Sequence, residues 1–178
     1  LFIEQAAPGL LPLYEGKMVQ AFDHRASDIV LAEANVFRSG QGSDLTDDDH
    51  RDTSRLPSPR YWVQTKDTGW DAPTDWCLSM KDVTSVTNAR TTISAIMPRY
   101  GAGHTLPVLF PGRGSDRDSY VQSAPLLLAN LNCVILDYLA RQKVHGNHLA
   151  WYLLEQLPVV PPRVYTRTFG PSSAADIV

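Results

Sequence analysis

Side chains able to reach an anion or a base edge fall into two groups along this chain of 178 residues. In the first, Lys17 follows Gly16 and so projects from a tight turn. His24 and Arg25 come next, and Arg60 stands just ahead of Tyr61 and Trp62. In the second, Asn88 and Arg90 precede a strand-like run, and Arg141, Lys143, Asn147 and His148 cluster at the end of a helical stretch. Arginine, lysine, asparagine and histidine are the side chains that contact phosphate oxygens and the edges of bases. Singly, each also suits a solvated face or a cap; Asn147 fits the left-handed turn after Gly146. As a set they fit a recognition surface.

Other chemistries are only partly spelled out. Gly101-Ala102-Gly103 lacks the third glycine of a dinucleotide loop, and Pro111-Gly112-Arg113-Gly114-Ser115 lacks the Gly-Lys-Ser/Thr ending of a P-loop. The second of these reads as a surface turn. His145 and His148 are separated by Gly146, with no cysteine near. The Asp44–Asp49 cluster lacks the alternating ligands and central glycine of a calcium loop. No Gly-x-Ser-x-Gly elbow occurs. The sequence therefore predicts no metal site and no catalytic residue, and a free-standing hydrolase is the weakest class. Cys77 and Cys133 lie far apart in apolar contexts and are expected to be buried free thiols.

Composition sets the frame. A hydrophobic share of 43% and a charged share of 20% are those of an ordinary globular domain. No run of about 18 apolar residues is present and no signal peptide opens the chain, so the expectation is a cytoplasmic protein with no membrane contact. The net charge of −3 does not suit a nucleic-acid binder. Residues 44–52 hold five aspartates and one arginine; without them 15 basic and 14 acidic side chains remain. DNA contact must then come from a local patch or from a companion domain.

These residues need elements to position them. Leu13, Met18, Val19 and Phe22 recur among polar residues in 11–25, which predicts a short turn or helix followed by a strand. The Ser, Gly, Asp and Pro content of 39–60 predicts an exposed loop. Residues 76–83, 91–97 and 105–110 read as strands, the last two as an antiparallel hairpin, with Pro107 marking an edge or bulge. One long amphipathic helix is expected over about 120–143, its face formed by Leu127, Leu131, Val134, Ile135, Tyr138 and Leu139, with Asp137 and Arg141 as a pair elsewhere. A strand or short helix follows over 148–157. The prediction is one α+β domain over 1–178 with a mostly antiparallel sheet. Pro171 onward reads as an N-capped helix start that breaks off after one turn, so a C-terminal continuation is expected.

Two segments carry a resemblance. Pro12-Leu13-Tyr14-Glu15-Gly16-Lys17-Met18 runs on to Phe22-Asp23-His24-Arg25, and Leu126–Pro162 contains Leu127–Asn132, Gly146–Leu149 and Glu155–Pro158. Together with Lys81–Thr91 and Pro98–Pro107 they resemble the C-terminal target-recognition region of Type IIG, TaqI-like restriction–modification DNA adenine-N6 methyltransferases. The closing part is also similar to recognition domains of Type I specificity subunits. The resemblance implies a fold like those target-recognition domains and sequence-specific DNA recognition in restriction–modification or phage defence. Neither a Gly-rich loop for the methyl donor nor an Asn/Asp-Pro-Pro-aromatic turn is present. The methyltransferase domain, with its S-adenosylmethionine, would thus belong to the parent protein, with or without an endonuclease activity, and no cofactor is expected here. Specificity would reside in 39–60 and Gly114–Ser119. The competing expectation is an interaction module that docks a helicase or nuclease subunit through exposed aromatics around Trp62, Trp70 and Trp151.

Overall fold

In the computed structural model the described residues are 2–31, 40–68, 74–111, 116–169 and 172–173. The fold is organised around Trp76–Met80, labelled β5, a run whose side chains are buried from Cys77 onward on both faces. Alternation along the strand sends neighbouring side chains to opposite sides. Cys77 joins a core with Tyr14, Met18, Val19, Ile29, Ala95, Met97 and Leu106. Leu78 joins a second core with Tyr120, Ala124, Leu131, Leu136 and Ala140. Met80 packs with Val144, Leu149 and Leu153. Leu78 is fully buried, and truncating it to Ala is expected to cost about 2–5 kcal/mol.

The domain is α+β with mixed sheets. Leu10–Tyr14 (β1) pairs antiparallel with Trp62–Gln64 (β4) and parallel with Gly101–Ala102 (β7). Ser27–Val30 (β2) pairs with Gln41–Asp44 (β3). β5 lies between Ser94–Pro98 (β6) and Val108–Leu109 (β8), both antiparallel to it. Thr168–Phe169 (β9) pairs with Ser172–Ser173 (β10). The five α-helices among the described residues are Asp47–Arg51 (α1), Arg117–Leu131 (α2), Val134–Lys143 (α3), Trp151–Leu154 (α4) and Pro162–Tyr165 (α5).

Several expectations are corrected. Strands β6 and β8 do not form a hairpin with each other. The intervening chain first pairs with β1 through β7, then returns at Leu106 to the far edge of β5. Pro107 does stand at that edge. In 11–25 the strand precedes the turn, which is the 3-10 segment Gly16–Met18. The stretch 39–60 is not all loop: it holds β3 and α1. Thr46 Oγ1 accepts from Asp49 N–H at 3.2 Å, and Thr46 N–H donates to Asp49 Oδ2 at 2.9 Å. Asp47, Asp48 and Asp49 then occupy the first helical turn, where the dipole favours them. In 171–178, Ser172–Ser173 form a strand rather than a helix start; the rest lies outside the described residues.

The single helix over 120–143 is two helices, bent by 64°. Asn132 breaks it because its amide is used elsewhere: Oδ1 accepts from Ser94 N–H at 2.9 Å and Nδ2 donates to Ser94 O at 2.8 Å. Cys133 then caps α3, its Sγ accepting from Leu136 N–H at 3.4 Å. The bend turns Val134, Ile135 and Tyr138 of the expected face outward, while Leu127, Leu131 and Leu139 stay with the core. Val134 and Ile135 are each 74% exposed, whereas Asp137 is buried. No single helix among the described residues is long and apolar enough to cross a membrane. Cys77 and Cys133 are free; Cys77 is buried and Cys133 half-buried.

Candidate functional site

Gly16 lets the turn after β1 press against the segment that follows β7. A Cβ there would stand 2.8 Å from Thr105 O and 3.3 Å from Lys81 Cγ. Its N–H donates to Thr105 Oγ1 at 3.1 Å. This contact seats Lys17 at the rim of a cleft of about 600 Å³, which Arg60, Lys81 and His104 also line. Among the described residues Glu15 is the one acidic side chain that lines it, beside the apolar Leu13 and Val83. Phe2 and Tyr61 form one wall, ring centroids 5.4 Å apart. The Arg60 guanidinium lies 4.6 Å above the Tyr61 ring, a cation–π geometry. Lys17 Nζ donates to Gly40 O. Lys81 is half-buried at the end of β5, and desolvation lowers its pKa.

The remaining candidates do other things. Arg25 donates to His50 O at 2.9 Å, Asp52 O at 2.7 Å and Arg55 O at 3.2 Å, closing the C-terminus of α1. His24 Nδ1 lies 3.3 Å from the Tyr14 hydroxyl, and burial lowers the imidazole pKa. Arg90 and Arg141 converge on Asp137 at 3.6 and 3.5 Å. Asp137 Oδ1 also accepts from the Thr91 and Thr92 N–H groups at 2.7 and 2.8 Å. Burial alone would raise the Asp137 pKa; the bonds from Thr92 and Thr91, with the Arg90 charge, outweigh it and leave it lowered. Arg90 donates to Asn132 O, and Arg141 donates to the carbonyls of Val86, Asn88 and Ala89. Lys143 donates to Gln156 Oε1 at 3.2 Å. Asn147 is exposed and its carbonyl accepts from Thr84 N–H. His148 Nδ1 donates to Asp82 Oδ2 at 2.6 Å.

Of the ten predicted residues, Lys17 and Arg60 line the cleft. Asn88, Arg90 and Arg141 meet at the α3 network through Asn88 O and Asp137. No family model, curated protein or solved structure matches the chain. Sequence reasoning missed Lys81 and His104 as site residues, and Phe2 as a wall. They come from separate segments and share no local pattern. Among the described residues no three His, Cys, Asp or Glu side chains gather where they could hold a metal ion.

The acidic segment is largely folded on itself. Arg55 pairs with Asp28 and with Asp49, the latter at 3.5 Å; Arg51 pairs with Asp48, and His50 with Asp23 at 3.1 Å. The cleft gathers three cationic side chains and a histidine against one carboxylate. Such a concavity attracts anions and offers aromatic surface beside them.

Proposed function

We propose that this chain is a DNA-reading domain: the target-recognition region of a restriction–modification or phage-defence adenine-N6 methyltransferase, with a fold like other such regions. The observation that carries it is the cleft beside Gly16, where Lys17, Arg60, Lys81 and His104 gather at the motif that bears the resemblance. In this reading the cations hold backbone phosphates and fix register, while neighbouring loops read base edges. The catalytic domain, its S-adenosylmethionine and the flipped adenine lie elsewhere in the parent protein.

The test is fluorescence anisotropy of the chain with a random-sequence duplex, at low and then moderate salt, beside the Lys17→Ala/Lys81→Ala double variant. Binding that falls steeply with salt and is weakened in the variant supports the reading. Absence of binding even at low salt would remove it.

A second reading has its own support. Val134 and Ile135 at 74% exposure and Tyr138 at 62% leave one face of α3 apolar and open. In that case the domain docks a helicase or nuclease subunit through α3. Trp151 is also exposed, Trp62 is half-buried, and Trp70 lies outside the described residues. An Ile135→Glu variant that keeps DNA binding but loses a co-purifying subunit would favour this reading.

A further inference from the structure

Phe22 sits in a left-handed backbone conformation, with φ at +66°. Glycine occupies that region readily, and bulky side chains are outliers in it. Phe22 is 61% exposed, so core packing does not keep it there. Main-chain bonds over-determine the turn. Gln20 and Asp23 exchange N–H···O bonds of 2.8 and 3.0 Å, and Phe22 N–H donates to Ser94 O at 2.9 Å. Backbone strain enforced in this way is a feature of binding and catalytic sites.

The loop that holds Phe22 starts from the turn that lines the cleft. Ala26 N–H donates to Met18 O at 3.0 Å. That bond closes a loop with Phe22 near its tip and the Gly16–Met18 turn at its base. Four residues from Met18 to Phe22 span at most ~14 Å, so Phe22 lies no farther than that along the backbone from the turn that carries Lys17.

We infer that Phe22 is a base-stacking wedge, its ring entering the base stack of DNA held at the cleft. The inference rests on the DNA-reading function proposed above. DNA-binding proteins insert apolar side chains of this kind between base steps, against the cost of unstacking. An exposed aromatic face stacks on any base.

The experiment uses the full chain with Phe22→Gly and Phe22→Trp variants. Each is melted thermally, then titrated by anisotropy against two duplexes of one sequence, one intact and one with an abasic site. The abasic gap removes much of the unstacking cost. Wild type and Phe22→Trp are expected to bind the gapped duplex several-fold tighter than the intact one. Phe22→Gly is expected to melt at or above wild type, because strain is relieved, and to show no preference. Its affinity for the gapped duplex should fall roughly 5- to 150-fold, the range for losing one stacked base. A glycine variant with wild-type affinity and preference overturns the wedge and leaves DNA reading intact. A lowered melting temperature in that variant makes Phe22 a structural residue and also overturns it. No salt-dependent binding of wild type to either duplex overturns the DNA reading, and the wedge with it.

Discussion

Arg141 and Lys81 carry the same charge, yet Arg141 donates to three carbonyls and faces a buried carboxylate, while Lys81 lines an open cleft. Both belong to cation-rich regions; in the cleft Lys17 gives a bond to Gly40 O, and Lys81 lines space that a ligand can enter. The difference lies in the backbone around them. The 85–90 turn and the end of α2 present carbonyls without helix or sheet partners, and guanidinium groups satisfy them. Around Gly16, main-chain groups are met by Thr105 and by the sheet, so the lysines are not all consumed. A cation's availability follows from how many orphan acceptors surround it.

The comparison can be tested from its strongest point downward. Asp137→Ala should destabilise the domain by about 3–5 kcal/mol in urea unfolding, because two arginines and two amide N–H groups lose one buried partner. The lowered pKa adds a sign. Stability from this carboxylate is fully present above the unfolded value near ~3.9 and is lost as pH falls through the folded value. Wild type should therefore lose more stability on acidification than the alanine variant does. Arg141→Ala should cost roughly 1.5–3 kcal/mol of stability and leave DNA affinity unchanged; a matching loss of affinity would move this arginine into the binding surface. Lys17→Ala with Lys81→Ala should weaken duplex binding about tenfold and reduce the salt slope by about 2, with the melting temperature nearly constant. An unchanged slope would detach the cleft from phosphate contact.

The smallest expected effect is at His50. Its Nδ1 lies 2.9 Å from Thr46 O and its Nε2 3.1 Å from Asp23 Oδ2. The Thr46 carbonyl, then Asp23, raise its pKa. The stability it adds is fully present below the unfolded value near ~6.5 and is lost as pH rises through the folded one. A slight drop in melting temperature across neutral pH, abolished in His50→Gln, would show it.

Much of the fold was legible in short-range pattern. β5 and β6 stand where apolar and β-branched residues alternate, and Pro107 marks an edge because it cannot donate to a ladder. The helix break was not legible, because the apolar period runs on through Asn132 and Cys133. Only Ser94, far away in sequence, gives Asn132 a reason to leave the helix. Asp137 reads as a surface residue until Thr91 and Thr92 are placed beside it. The α1 helix did have a local signal, Thr46 followed by Asp49, but the aspartate run around it also reads as a solvated loop. In the cleft, Lys17 and Arg60 were visible as cations beside a glycine and an aromatic pair. Lys81 and His104 needed the β1–β7 pairing to reach them.

That pairing sets an order of events during synthesis. Strand β1 can join β4 once residue 64 has emerged, but its other edge waits for β7, and the Gly16–Thr105 bond spans 89 positions. Contacts this remote form slowly, because a long loop must close first. Until then β1 keeps an unpaired edge, a template for association with other chains. The cleft is thus a late product of folding, and a nascent chain that ends before Thr105 lacks its completed lining.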